Sequence, residues 1–509
     1  MKKTDKIFTT ILFFHILYGL LFVWNTSFVV GGVRYFSLFD DAMISMRYAE
    51  NLAHGFGAVF NPGQPPVEGY TNPLWMLVMS VFHYLPVGKE TLSLVFQLFN
   101  IALSSANLLF IDRIVKLKFP GSARIRILAL LMVAFYYPLN FWFFMGMEAG
   151  AVALIVTATA YLIEKQNEFS YKQLLPLAVG MLIRLDVAVC FVAVAAYLIF
   201  KYRSLAKSIA GWSILLLLVT IGGTTVIRYL YYGAILPNTY YLKVEGVDVF
   251  YRLLRGVFVF VKFVVFFNPI FFAIPFWQFW RKREMFSGFA CGIVSVLCLY
   301  SIYVGGDAWD WWGGANRFIA PAMPLFFVLI AAGIVHWLPK IHSKLKFIRS
   351  ERLTYILIGI VLICNINFLR NISSLEEMLL LRPALGVEDN ELNVRMAELV
   401  RGISSKDETI AVVTAGVLPY FAERNAIDIL GKADPAIART ESRMVPGIFS
   451  FEPGHTKWNY EYSICSLKPD WVLQLWKRPE EAEECLSSYK RIDTLGFVIY
   501  KRLTKQTPN

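Results

Sequence analysis

Long runs of apolar residues alternate with short polar segments along most of the chain. Runs of about 20 apolar residues match the hydrocarbon thickness of a bilayer and predict membrane-spanning helices. An apolar stretch at 71–86 is shorter and begins beside an Asn-Pro pair, so we predict that it lies in the plane of the membrane surface. The predicted spans are 8–30, 92–117, 125–145, 149–164, 172–186, 187–200, 208–228, 256–280, 286–304, 318–338 and 353–370, about eleven in all.

Lysine and arginine gather in short segments between these spans. With 71–86 in the membrane plane, all the basic clusters fall on one side, and the positive-inside rule makes that side cytoplasmic. The loops 31–91, 229–255 and 305–317 and the tail from about 371 then face outward. The basic clusters are Arg113/Lys116/Lys118/Arg124/Arg126, Lys201/Arg203/Lys207, Arg281/Lys282/Arg283 and Lys340/Lys344/Lys346/Arg349/Arg352.

The tail has a different pattern. Segment 407–413 is a charged turn that leads into an apolar run, and 469–474 and 496–500 are further candidate strands. Residues Glu391–Ile403 have helical periodicity, with Asn390 as the predicted N-cap. We therefore predict two domains: a transmembrane module at 1–370, whose first outer loop carries in-plane helices, and a small extracytoplasmic α/β domain at 371–509.

Composition excludes a soluble globular protein. Hydrophobic residues make up 57% of the chain and the mean hydropathy is +0.53, more apolar surface than a soluble fold hides. The net charge of +12 comes from loops assigned to the cytoplasmic face, so nucleic-acid binding is not predicted. The six cysteines lack metal-ligand spacing, but Cys465 and Cys485 would be able to form a disulfide if the tail is extracytoplasmic.

The first outer loop carries the strongest candidate chemistry, the adjacent carboxylates Asp40 and Asp41. Two acids so close to a membrane helix are costly unless they are solvated or used. Low-dielectric surroundings raise the pKa of a carboxyl group, which suits a general base that takes a proton from a sugar hydroxyl. The alternative is a solvated cap on the following helix, because Asp is a good N-cap.

Other polar residues stand at the predicted outer ends of helices. The second loop offers tyrosines and Lys243, which an aromatic belt with a snorkelling lysine would also explain. The third loop, from Gly305 to Phe318, mixes glycine, carboxylates and tryptophan, as sugar sites do. Arg184 and Asp186 are two positions apart, so they would not face each other on a regular helix, and a kink or separate partners is implied.

The segments DDAMISMRYAENLAHGFG, VEGYTNPLW, LPNTYYLK and GGDAW, with AGVLPYFAERNAIDILGKADPAIA and PGHTKW in the tail, resemble a known family. They are similar to the GT-C superfamily of polyprenyl-phosphate-sugar glycosyltransferases, and within it to the mycobacterial terminal (β-1,2) arabinofuranosyltransferase group and its bacterial relatives. The resemblance covers most of the chain. It departs from the family at Leu185, where relatives usually carry proline.

The resemblance implies a role for each matching residue. One of Asp40 and Asp41 would be the base, and the other would orient it or help to bind the donor. The resemblance does not decide whether a divalent metal is bound; if one is, Asp307 would be a second carboxylate ligand. The residues implied to hold the lipid phosphate are Arg184, Lys243, Arg317 and Tyr240, and those implied to line the substrate site are His54, Glu68, Tyr70, Asn72, Glu148, Asp186 and Asp307.

The resulting hypothesis is an inverting glycosyltransferase of the bacterial inner membrane, with its active site and C-terminal domain extracytoplasmic. It would move a sugar, arabinofuranose by resemblance, from a polyprenyl-phosphate donor to a cell-envelope glycan. The tail domain would bind carbohydrate. The rival hypothesis is a transporter or flippase of a lipid-linked sugar, and a third is a non-catalytic protein that kept the fold. Transporters tend to place polar groups at the midplane and to show repeated halves.

Overall fold

A computed structural model describes residues 3–310, 316–344, 350–367, 372–443 and 452–503. Within these residues, five helices are long and apolar enough to cross a membrane, or seven if each of two bent pairs is one span. Four shorter apolar helices accompany them. The prediction of a polytopic helical membrane protein with a C-terminal sheet domain is confirmed, whereas the count of about eleven spans stays a prediction.

The helices and strands follow in chain order. The α-helices are α1 (Lys3–Asn25), α2 (Asp40–Ala53), α3 (Pro73–Phe82), α4 (Lys89–Lys118), α5 (Ala123–Ala134), α6 (Tyr137–Phe144), α7 (Ala149–Lys165), α8 (Leu175–Ile183), α9 (Val187–Lys201), α10 (Ala206–Leu217), α11 (Gly223–Tyr232), α12 (Asn238–Val244), α13 (Val249–Phe267), α14 (Pro269–Lys282), α15 (Met285–Tyr303), α16 (Met323–Lys344), α17 (Glu351–Asn367), α18 (Ile372–Met378), α19 (Val387–Ile403), α20 (Val417–Ala422), α21 (Pro435–Ala438) and α22 (Glu483–Leu486). The strands are β1 (Phe28–Val30), β2 (Val33–Tyr35), β3 (Ile410–Val412), β4 (Ala426–Asp428), β5 (Trp471–Val472), β6 (Tyr489–Thr494) and β7 (Phe497–Arg502).

Three predicted spans differ from the observed helices. The span 8–30 is wrong at its end, because the chain leaves α1 at Asn25 and enters a β-hairpin. The span 125–145 is two helices bent by 49°, and 256–280 is two helices bent by 96°. The second bend has a local cause: Asn268 has φ +86°, which a helix cannot continue, and Pro269 has no N–H to donate.

The first of two compact units comprises Met1–Asn25, Gln97–Thr224 and Arg252–Ala384. Its packing is helix on helix: α5 lies against α16 and α1, α9 against α15 and α10, and α14 against α16. Glycines permit close approach at one joint, since a Cβ at Gly256 on α13 would collide with the carbonyl of Ile302 near the end of α15.

The second unit comprises Thr26–Phe96, Thr225–Tyr251 and Leu385–Asn509. It begins with the antiparallel pair β1–β2, joined by Gly31 and Gly32, which both have positive φ as a tight hairpin turn requires. Its main sheet has the order β4-β3-β5-β7-β6, in which β3 is parallel to β4 and β5, and β7 is antiparallel to β5 and β6. The predicted tail strands are confirmed as β3, β5 and β7.

The predicted helix at 391–403 is confirmed, but the predicted cap is wrong. The helix α19 starts earlier, and its N-cap position is Gly386. Asn390 lies inside the helix and donates Nδ2 to the Ser37 hydroxyl at 2.9 Å and to the Leu38 carbonyl at 2.8 Å. These bonds draw Asn390 away from the cap role.

The tail contains the disulfide that the sequence left open. Cys465, in a π-helical turn at Glu461–Ser466, is bonded to Cys485 of α22. The bond lies beside buried Trp458, Tyr460 and Ile464 in the core of the sheet domain. The compact units also group residues differently from the predicted division at 370, because 26–96 and 225–251 cluster with the tail.

Candidate active site

The carboxylates Asp40 and Asp41 occupy the first turn of α2, where a helix dipole favours negative charge. Neither caps the helix, since the N-cap position is Phe39 and no side-chain cap bond forms. Asp40 Oδ1 instead accepts the backbone N–H of Val417 at 2.8 Å, at the start of α20. Glycine is required next to it, because a Cβ at Gly416 would collide with the Asp40 carbonyl.

The second carboxylate forms an ion pair with a lysine far along the chain. Asp41 Oδ1 lies 2.9 Å from Lys432 Nζ, and the lysine side chain is 13% exposed. The loop that carries Lys432 follows β4 and is fixed by Asp428, whose carboxylate accepts the N–H groups of Leu430 at 3.0 Å and Ala433 at 2.8 Å. An acid pair and a partly buried cation therefore share one site.

Burial dominates the electrostatics of this cluster. Desolvation raises the pKa of Asp40, although Lys432 and the Val417 N–H act in the opposite direction. Desolvation alone would lower the pKa of Lys432, but the charges of Asp41, Asp40 and Asp428 outweigh it and the pKa is raised. Burial also raises the pKa of Asp428 to about 6. The site thus stabilises one positive charge and makes Asp40 a stronger base than an ordinary aspartate.

Glu68 and the LPNTYYLK segment meet at the same loop. Arg228 pairs with Glu68 through both Nε and Nη2, the latter 3.2 Å from Oε1. The Asn238 N–H bonds to the Glu68 carbonyl at 3.1 Å, and its Nδ2 donates to the carbonyls of Gly431 at 2.9 Å and Lys432 at 3.0 Å. Asn238 therefore ties the Glu68 loop to the Lys432 loop.

Tyr70 belongs to a neighbouring group of phenols. Its hydroxyl lies 2.8 Å from that of Tyr232, which donates to the Ala58 carbonyl at 2.9 Å. The Tyr48 ring packs against Tyr70 at 4.8 Å, and the Tyr48 hydroxyl bonds to the Val67 carbonyl and the Gly69 N–H. The hydroxyls of these tyrosines are used in hydrogen bonds that hold the first loop in its conformation.

The remaining predicted residues of the second unit lie in different places. Asn72 accepts the Ser45 hydroxyl at 2.8 Å, on the face where α2 meets α3. His54 is exposed at the opposite end of α2, roughly 20 Å along the helix from the acid pair. Tyr240 is 37% exposed on α12, and Lys243 is in the last turn of that helix.

Buried Arg47 in the same unit was not predicted from the sequence. Its Nε donates to the Phe60 carbonyl at 2.7 Å, and its Nη2 donates to Asn61 Oδ1 and to the Arg424 carbonyl. Its Nη1 donates to the Pro419 carbonyl at 2.5 Å. We call this set of acceptors the Arg47 cradle. It joins the first loop to α20.

In the first unit, the kink implied by Arg184 and Asp186 is confirmed. The helix α8 ends at Ile183 and α9 begins at Val187, with Arg184 extended between them. Arg184 contacts Asp186 through Nε at 2.9 Å and Nη2 at 2.5 Å, and Glu148 through Nη1 at 2.8 Å. Two carboxylates thus already neutralise this guanidinium.

Asp307 and Arg317 form a second pair in this unit. Asp307 Oδ2 accepts the Arg317 N–H at 2.9 Å, and its Oδ1 lies 3.3 Å from Arg317 Nε. The carboxylate is occupied by protein donors, so it does not fit the metal role that the resemblance left open. Within the described ranges, no group of three or more His, Cys, Asp or Glu side chains is arranged to hold a metal ion. Trp311–Ala315 of the third loop lie outside the described residues.

A cationic group on α13 was also missed. Arg255 bonds to the Gly305 carbonyl and lies 2.8 Å from Asp310 Oδ1, and Lys262 lies 2.9 Å from Asp310 Oδ2. Arg252, one turn earlier, is 3% exposed and lies 5.0 Å from the centre of the Tyr303 ring. The signal was visible in the sequence, because three cations at spacings of 3 and 7 in an apolar helix mark one helical face.

The tail matches a sequence family, whereas the whole chain is similar to known proteins in fold. Residues 382–507 match the family described as "Domain of unknown function (DUF8728)". No curated protein sequence matches the chain.

The fold as a whole is similar to solved structures at low sequence identity. ArnT from Cupriavidus metallidurans in the apo state gives a TM-score of 0.59 at 11% identity over 95% of this chain and 96% of that one. The same protein bound to undecaprenyl phosphate gives 0.56 at 11% over 99% of both. The archaeal oligosaccharyltransferase AglB from Archaeoglobus fulgidus, in complex with an inhibitory peptide and a dolichol-phosphate, gives 0.50 at 11% over 100% of this chain and 75% of that one. The chain therefore has the membrane fold seen in these structures.

Proposed function

We propose that the chain is an inverting glycosyltransferase that uses a polyprenyl-phosphate sugar. The observation that carries the proposal is the acid pair on α2, with one carboxylate on a backbone N–H and the other on the largely buried Lys432, whose side chain is 13% exposed. A transferase of this kind needs a base beside the acceptor hydroxyl and a positive field that stabilises the charge developing in the transition state. The second unit supplies both kinds of group.

Asp40 is the proposed base. Burial raises the pKa of Asp40, which makes its carboxylate better able to accept a proton. Asp41 is paired with Lys432, so its carboxylate is already held by a protein cation. In the reaction, Asp40 takes the proton of the acceptor hydroxyl, whose oxygen attacks the anomeric carbon from the side opposite the phosphate. The bond to the phosphate breaks, and its electron pair leaves with the phosphate.

The donor class rests on the fold and on its solved examples. The similar structures of ArnT and AglB hold undecaprenyl phosphate and dolichol-phosphate respectively, and a lipid-linked donor suits a chain with several apolar helices. Arabinofuranose, suggested by the motif resemblance, is the first sugar to test, and a cell-envelope glycan is the proposed acceptor. Arg184, Lys243, Arg317 and Tyr240 stay predicted phosphate contacts.

The proposed orientation puts the acid pair and the tail domain outside the bacterial inner membrane. A disulfide persists in an oxidising compartment and not in the reducing cytosol, so the bond between Cys465 and Cys485 supports an extracytoplasmic tail. The tail belongs to the same compact unit as the acid pair, which supports placing both on one side. We propose that this domain contacts the glycan acceptor.

The test is sugar transfer by the purified full-length chain in nanodiscs, with a panel of radiolabelled polyprenyl-phosphate sugars and envelope glycans. Asp40→Asn is expected to lower turnover at least about a hundredfold, the usual contribution of general base catalysis. Asp493→Asn, an exposed aspartate on β6, is the matched control and should turn over like wild type.

Two outcomes would contradict the proposal. If Asp40→Asn and Asp41→Asn, both shown to be folded, turn over like wild type, neither carboxylate is the base. If no donor is consumed but labelled lipid crosses the membrane of sealed vesicles that contain the protein, the flippase alternative replaces the transferase.

A further inference from the structure

The cationic face of α13 contains an arginine, Arg252, that pairs with no carboxylate among the described residues. Arg252, Arg255 and Lys262 fall on one side of the helix, since spacings of 3 and 7 residues return to the same face. Arg255 and Lys262 share the single carboxylate of Asp310. Three positive charges therefore face one negative charge in this group, an excess of two.

Arg252 differs from its two neighbours in its hydrogen bonds. It is 3% exposed, yet its Nε and Nη1 have no hydrogen-bond partner among the described residues. A buried charged donor without an acceptor is costly, because it has lost its water and gained nothing in return. Such a group is retained where a ligand supplies the acceptor.

The position of Arg252 is fixed by close packing. Its guanidinium lies 5.0 Å from the centre of the Tyr303 ring at the end of α15. The two helices pack closely there, because Gly256 allows α13 to touch the Ile302 carbonyl. Gly306, with φ +80°, fits against Val259 in the same joint, where a Cβ would come within 2.7 Å of the valine. The guanidinium is held in place before any ligand binds.

We propose that Arg252, supported by Arg255 and Lys262, binds the phosphate group of a ligand. A guanidinium presents paired N–H donors that match two oxygens of a phosphate, and the excess of two positive charges matches a phosphate monoester dianion. Arg184 and Arg317 stay predicted phosphate contacts but both already contact carboxylates, whereas Arg252 pairs with no carboxylate among the described residues. The inference deepens the proposed function and rests on it for the lipid source of the phosphate; free phosphate has the same chemistry.

The experiment measures binding of a radiolabelled polyprenyl monophosphate to the full-length protein in nanodiscs. Arg252→Gln is expected to weaken binding about tenfold to a hundredfold, the effect of losing charge-assisted hydrogen bonds, and Arg252→Lys to weaken it less. Arg113→Gln is the matched control, because Arg113 also lies over aromatic rings of the first unit but is exposed. Its affinity should equal that of wild type.

Two further arms identify the source of the phosphate. The uncharged polyprenol of the same length should bind wild type and Arg252→Gln equally, which shows that the arginine contacts phosphate and not the chain. Inorganic phosphate that displaces the lipid at low millimolar concentration would assign the site to free phosphate. Displacement only by lipid phosphate would assign it to the headgroup.

Unchanged affinity in a folded Arg252→Gln protein overturns the inference. So does an equal loss in Arg252→Gln and Arg113→Gln. Failure of the transferase proposal is distinguishable, since it appears as absent sugar transfer by wild type while lipid-phosphate binding still depends on Arg252. Conversely, normal sugar transfer with binding that ignores Arg252 removes only the inference made here.

Discussion

Two buried arginines, one in each compact unit, have opposite surroundings. Arg47 in the second unit is 5% exposed and donates to three backbone carbonyls and one side-chain amide. Arg252 in the first unit is 3% exposed, yet two of its nitrogens lack a partner among the described residues. Burial alone thus does not reveal what a charged side chain does.

The difference lies in what satisfies the guanidinium. In the Arg47 cradle every acceptor belongs to the chain itself, so the arginine serves the fold. Around Arg252 the described residues provide an aromatic face and neighbouring cations but no acceptor for Nε and Nη1, which fits an acceptor supplied by a ligand. The bonds of Arg47 explain its burial by the fold alone, whereas the unsatisfied nitrogens of Arg252 need another explanation, for which we propose a ligand.

The largest expected effect is loss of stability on emptying the Arg47 cradle. Arg47→Met leaves buried carbonyls without donors and should lower the free energy of unfolding by roughly 3 kcal/mol or more. Arg252→Met should change it by less than about 1 kcal/mol, because few bonds are lost. Denaturant unfolding of the full chain in detergent measures both. Equal destabilisation by the two variants would contradict the conclusion that Arg47 serves the fold and Arg252 does not.

A smaller change in stability is expected from the titration of Asp428 in the second unit. Asp428 is buried, and burial raises its pKa to about 6, against about 3.9 in an unfolded chain. Between these values the folded state keeps a proton that the unfolded state has lost, so stability falls as pH rises from about 4 to about 6. The expected loss is roughly 2 kcal/mol. Unfolding of wild type and Asp428→Asn across pH 4–7 checks this, since the variant should lack that portion of the slope.

Lys432 has a partner within the protein, as Arg47 does, but that partner is Asp41 of the proposed active site. Its charge lowers the pKa of Asp40, so Lys432→Met should raise that pKa further. The acidic limb of the kcat/KM profile would then move to higher pH, since the base must lose its proton to act. Exposed Lys490→Met is the control. A limb that does not move, or moves to lower pH, would separate Lys432 from the base.

The smallest change in the free energy of unfolding is expected for an arginine on the surface. Arg395 is 53% exposed and pairs with Glu391 one turn earlier on α19. Screening by water and the entropy of two long side chains leave such pairs worth a few tenths of a kcal/mol. Arg395→Ala should therefore unfold at nearly the wild-type denaturant concentration. A loss above about 1 kcal/mol would show that exposure is a poor guide in this chain.

The sequence predicted elements well, because local periodicity determines them. Apolar runs predicted the membrane helices, and the two-residue spacing of Arg184 and Asp186 correctly implied a break between helices. The bend at Asn268 was missed, since a positive φ at asparagine leaves no trace in hydropathy. Lys262 was missed, because one charge inside the long apolar run at 256–280 does not change the prediction of a span.

Partners far apart in the chain could not be predicted. Asp41 was singled out from its own segment, but Lys432 is 391 positions away in a loop without periodicity. Glu68 and Arg228 are 160 positions apart; Glu68 was singled out by resemblance, but nothing in its own segment indicated Arg228 as its partner. Local pattern determines which residues form a helix or strand, whereas such pairs are determined by how the whole chain folds, so they emerged only from the structure.

The bond between Cys465 and Cys485 has a consequence for how the protein matures. It closes a short segment, 20 positions long, inside the sheet domain, so the two thiols that form it come from neighbouring parts of the tail. If the tail is exported, its thiols meet an oxidant only after translocation. Formation of the covalent link would then record that the tail has reached its destination, and a cell that fails to deliver it would accumulate a chain with both of these thiols still reduced.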